Sequence, residues 1–134
     1  MEKLTISGEI VSLNEYINAE RENKYIAAKI KREMTEMCQW YLKGMWKHMD
    51  KVKDKVHITF IWYCKNKKID PDNTAWGKKF ILDAMVKEGI LKNDTWEFVE
   101  GFSDKFEIDS ENPRIEVIMD DTENERQKKR LSNI

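Results

Sequence analysis

Residues 55–64 read KVHITFIWYC, a run of β-branched and aromatic residues with apolar side chains at both alternating sets of positions. Such a run predicts a central strand covered above and below. The segments around it define the rest of the fold. Upstream, Ile26, Ile30, Met34, Met37, Tyr41 and Met45 recur at steps of three and four. That spacing predicts an amphipathic helix of unusual length over 25–49, with Lys29, Arg32, Glu33, Glu36, Lys43 and Lys47 on its other side. A methionine stripe of this kind serves as core or as a dimer interface.

Further out, KLTISGEI alternates Leu4 and Ile6 with polar residues and predicts a short strand broken at Gly8. SLNEYINAERENKY is polar and reads as irregular, although a helix can begin anywhere in it. Residues 73–89 predict a second helix with Trp76, Phe80, Ile81, Ala84 and Met85 on one side and Gly89 as its stop. TWEFVEGF, KFEID and PRIEVIMD then predict three short strands. The order β–α–β–α–β–β–β describes one α+β domain over 1–119: a small mixed sheet with the long helix and the second helix packed on it. Residues 120–134 are charged, almost without apolar side chains, and predict a disordered tail.

At 134 residues the chain has room for one domain with a proper core. No apolar run is long enough to span a bilayer, and residues 1–16 lack the apolar stretch of a signal peptide. Cys38 and Cys64 alone imply no disulfide framework. The expectation is a cytoplasmic protein without a membrane partner. Its net charge of −1 hides an uneven distribution. Residues 21–79 hold fifteen Lys and Arg against seven Asp and Glu, net +8, between ends of net −3 and −6. A basic middle suits a surface that meets a polyanion, and equally a lysine-rich helix kept soluble by its outer face.

The chemistry concentrates in KKIDPDNTAW, residues 67–76. In extended chain, Asp70 and Asp72 point to the same side, and Pro71 restricts Asp70 to such a conformation. Two carboxylates held this close need one raised pKa or a cation between them, and hard oxygen donors suit Mg²⁺ or Mn²⁺. The residues alone leave a second reading open, in which Asp70 is a helix N-cap, Pro71 is N1 and Asp72 complements the dipole. An EF-hand loop fails, since the residues after Asn73 lack its later ligands and its glycine. Lys79 and Asp83, four apart, share one helix face, and Asp94 returns after that helix. His48 and His57 lack partners at metal spacing. Trp40, Trp46, Trp62, Trp76 and Trp96 are core residues by composition, with base stacking open to an exposed one.

The stretch KKIDPDNTAWGKKFILDAMVKEGILKND resembles the RusA family of Holliday junction resolvases, small endonucleases of phage and prophage. SLNEYINAERENKY and NPRIEVIM resemble its first and closing segments, so the likeness runs to about residue 119. It implies a Mg²⁺-dependent (or Mn²⁺-dependent) endodeoxyribonuclease, a homodimer that resolves four-way junctions or related branched DNA. Asp70, Asp72 and Asp94 match the metal-binding aspartates, and Lys79 matches the lysine needed for cleavage. Asp83 matches a position that supports that lysine. The stretch between DPDN and the lysine is longer than in the family, so Lys78 competes with Lys79 for the match, and Asn93 replaces an acidic residue. Arg21, Lys24, Lys29, Lys31, Arg32 and Lys78 are the candidate phosphate contacts, and the methionine stripe the candidate dimer interface. The alternative is a relative that binds branched DNA without cutting it.

Overall fold

A computed structural model describes residues 2–45 and 55–121. Strand β1 (Glu2–Ser7) is followed by helices α1 (Leu13–Glu22) and α2 (Lys24–Met45), then by strand β2 (Val56–Cys64). The short helix α3 (Pro71–Ala75) and helix α4 (Lys78–Lys87) lead to strands β3 (Val99–Ile108) and β4 (Arg114–Asp121). The strands form one mixed sheet in the order β1-β4-β2-β3. β4 runs antiparallel to β1 and β2, and β2 runs parallel to β3. A parallel pair needs a crossover, which α3 and α4 supply. This is the expected α+β domain with its helices on a mixed sheet.

β2 is central, as its composition predicts, but only one of its faces is fully covered. Val56, Ile58, Phe60 and Trp62 are buried, while His57, Thr59, Ile61 and Tyr63 alternate with them and are half-buried. The buried set joins Leu4, Ile6, Ile115, Val117 and Met119 of the sheet to Cys38, Leu42, Phe80, Ile81, Ala84 and Met85 of the helices. The other face is shielded by neighbours in the sheet. The Arg114 guanidinium lies 3.7 Å from the Tyr63 ring centre, and Arg114 also bonds Glu116 and Asp109. Cross-strand pairs thus cover what a second layer was expected to cover.

Two helical stretches depart from expectation. The stretch read as irregular forms α1, because Ser12 caps it. The Ser12 hydroxyl accepts from the Glu15 amide at 3.3 Å, the first half of a Ser-x-x-Glu capping box. The second helix is interrupted between α3 and α4 at Trp76 and Gly77. There the Trp76 indole donates to the Val11 carbonyl and its ring packs on Tyr16 and Phe80. A Cβ on Gly77 would lie 3.1 Å from Ile10 Cγ2, so the bare backbone lets the helix break approach the 10–16 segment. Gly89, at φ +73°, ends α4 as expected. Amides of Gly89 and Ile90 donate to the Val86 and Met85 carbonyls in a Schellman arrangement.

The methionine stripe of α2 belongs to the core. Met34, Met37 and Tyr41 are half-buried and pack against the buried cluster, while Ile26 of the same stripe is 45 % exposed. Residues 46–49 of the expected helix, with Trp46 and His48, lie outside the described residues. TWEFVEGF and KFEID are not separate strands, since β3 runs unbroken from Val99 after a turn at Thr95–Phe98. β4 extends to Asp121, two residues past the expected domain boundary, and the rest of the tail lies outside the described residues.

Candidate functional site

α3 begins where the loop after β2 ends. Asp70 occupies its N-cap position in extended backbone, and its carbonyl accepts from the Thr74 amide at 3.1 Å. Its carboxylate makes no capping hydrogen bond, and both Asp70 and Asp72 are exposed. Cap geometry and a carboxylate turned to solvent therefore coexist at Asp70. Asp72 lines a cavity of about 430 Å³ with Pro71, Ala75, Trp76, Lys78, Asp104 and Phe106.

Lys78 is anchored within that cavity. Its ammonium pairs with Asp104 at 2.5 Å and lies 5.5 and 5.2 Å from the Phe60 and Phe102 ring centres. The Trp62 indole donates to the other Asp104 oxygen at 2.9 Å. Both charged side chains are mostly covered, so cation, carboxylate and aromatic faces form one locked group. Asp104 escaped the reading of the sequence. It sits in mid-strand, and only the parallel register that sets it beside Phe60 brings it to Lys78.

Lys79, one residue on, points elsewhere. Its ammonium lies 3.3 Å from Asp83 and 3.9 Å from Asp94, and its side chain is about half exposed. The lysine and two of the aspartates singled out in the sequence are thus assembled beside the first two turns of α4, where the segment carrying Asp94 folds back. Asp83 holds Lys79 from one turn further along the helix, and Asn93 bonds the Asp94 amide. Among the described residues no three His, Cys, Asp or Glu side chains form a group able to hold a metal ion. Asp70 and Asp72 are hard oxygen donors left without a capping role, chemically suited to Mg²⁺ or Mn²⁺.

Of the candidate phosphate contacts, Arg21, Lys24, Lys29, Lys31 and Arg32 are exposed on α1 and α2. Lys24 stacks over Tyr25, and Lys29 pairs with Glu33 at 3.8 Å. Glu33 and Glu36 interleave with Lys29 and Arg32 on the solvent side of α2, so this surface carries both signs of charge. Lys78 differs from the other five in being engaged by Asp104. His57 faces Ser103 across the sheet at 2.7 Å, a strand-face role. Trp62 is core, whereas Trp40 and Trp96 are 70 and 92 % exposed.

A second cavity, of about 290 Å³, is lined by Glu9, Ile10, Met34, Cys64, Ile69 and Arg114 among others. None of the candidate site residues lines it. Burial, with Glu9 adding to it, raises the Cys64 thiol pKa, and burial pushes that of Cys38 up to about 12. Neither thiol is activated as a nucleophile. Among the described residues no helix is long and apolar enough to cross a membrane. No family model matches the chain, and no curated protein is similar to it.

Proposed function

We propose that this protein is a divalent-metal-dependent endodeoxyribonuclease that cleaves branched DNA, acting in the cytoplasm as a homodimer on four-way junctions or related structures. The observation that carries the reading is the contact of Lys79 with Asp94 and Asp83, joined in the sequence to the uncapped carboxylates of DPDN. A lysine held beside carboxylates, but still half exposed, is placed to offset charge that develops on a phosphoryl oxygen.

Asp70 and Asp72 are the residues that would hold Mg²⁺ or Mn²⁺, with Asp94 the further ligand that the family resemblance implies, although the three do not form one group in this structure. When bound, the metal polarises the phosphoryl group and lowers the pKa of water. Asp83 keeps the Lys79 ammonium within reach of the reacting phosphate. Arg21, Lys24, Lys29, Lys31 and Arg32 bind backbone phosphates without reading sequence, so affinity falls with salt.

Incubation with a synthetic four-way junction, in Mg²⁺ and in EDTA, tests the reading against Asp70→Asn. Symmetric nicks that require both the metal and Asp70 are expected. A junction that is retarded in a gel but never cut would replace the nuclease with a binding protein. No retardation at low salt would remove branched DNA as the partner.

A further inference from the structure

Among the described residues, β3 carries a surface that neither the core nor the proposed site uses. Its helix-side residues Phe102, Phe106 and Ile108 are 43, 39 and 50 % exposed, whereas Leu4 and Ile6 on the opposite edge strand are fully buried. The strand is ten residues long and contains no proline, and although it carries Glu100, Asp104, Lys105 and Glu107, these charges select a register rather than bar pairing. The Asp109 amide donates to the Cys64 carbonyl at 2.8 Å, which fixes which backbone groups face β2. Backbone groups alternate between the two sides of a strand. Those of Phe102, Asp104, Phe106 and Ile108 therefore face the open edge.

We propose that β3 joins two copies of this chain, pairing antiparallel with its own counterpart about a two-fold axis at Phe106. In this register Phe106 faces Phe106 and Asp104 faces Ile108 in hydrogen-bonded pairs. Lys105 faces Glu107 in the two non-hydrogen-bonded pairs, where side chains approach most closely. Axes at Asp104, Lys105 or Glu107 would set identical charges against each other. The Phe106 register instead offers two opposite-charge pairs on one face of the sheet. On the other face it merges the exposed phenylalanine patches of both copies. The contact is isologous and closes at two subunits. It makes one continuous sheet and brings the Asp72, Lys78 and Asp104 cavity of each copy to the seam, since Phe106 lines that cavity.

The pairing builds on the homodimer of the proposed nuclease by naming its seam, and its test uses neither DNA nor metal. Either reading can therefore fail while the other stands. Sedimentation of the full chain over a range of concentrations should show a reversible dimer. Lys105→Glu and Glu107→Lys, each alone, should weaken it by about tenfold or more, because like charges then oppose each other twice. The double variant should restore it. Both positions are exposed, and circular dichroism checks that each variant folds. A chain that stays monomeric up to its solubility limit would overturn the seam. So would a dimer indifferent to the single reversals, or one that the double reversal fails to restore.

Discussion

Lys78 and Lys79 are adjacent in sequence and occupy opposite environments. Lys78 is mostly covered, paired with Asp104 and packed between Phe60 and Phe102. Lys79 is half exposed and reaches Asp83 and Asp94 at looser distances. Successive helical positions differ by about 100°, so one lysine faces the β3 cavity while the other faces the turn after α4. The contrast separates a structural cation from one available to a substrate. Under the proposed function it favours Lys79 over Lys78 as the lysine that would meet phosphate, the choice that sequence spacing left open.

Single substitutions at and around the two lysines test this contrast. The largest effect is expected for Trp62→Ala, which opens a cavity beneath Asp104 and removes its indole donor. It should cost about 3–5 kcal/mol in chemical denaturation. Next, Lys79→Ala should lower junction cleavage by about 100-fold with little change in stability, since its exposed pairs are worth only tenths of a kcal/mol. If Lys78→Ala instead abolishes cleavage while Lys79→Ala does not, the assignment of the two lysines is reversed.

Asp104→Asn should loosen Lys78 and lower stability by about 1–2 kcal/mol, with affinity for duplex DNA unchanged or raised as the ammonium is released. A thermal melt and a gel-shift titration check both halves of that statement. The smallest effect concerns Asp109, remote in role from either lysine. Its carboxyl is held below the usual range, first by the hydrogen bond from Arg114 and then by the Asn112 amide. A depressed folded pKa adds stability above the unfolded pKa of about 4, and this is lost as pH falls through the folded value. Asp109→Asn should therefore reduce the midpoint shift between neutral and acid pH, measured by melting curves.

Much of the fold was legible because it rests on local pattern. The apolar steps of α2, the β-branched run of β2 and the glycine stop of α4 each express a property of a few neighbouring residues. α1 was left without a start, although Ser12 and Glu15 stand at capping-box spacing, a signal outweighed by the polar composition of the stretch. The break at Gly77 was not legible, because its cause is the approach of Ile10 from a distant segment.

The site divides along the same line. From sequence alone came the DPDN carboxylates, the i,i+4 pair of Lys79 and Asp83, and Asp94 as a further member. Helical spacing fixes which side chains share a face, and this needs no tertiary contact. Only the tertiary structure brought Asp104 to Lys78, packed Met34, Met37 and Tyr41 of the methionine stripe on the core and, among the described residues, left β3 unpaired at one edge. Those outcomes depend on strand order and register, which join residues far apart in the chain.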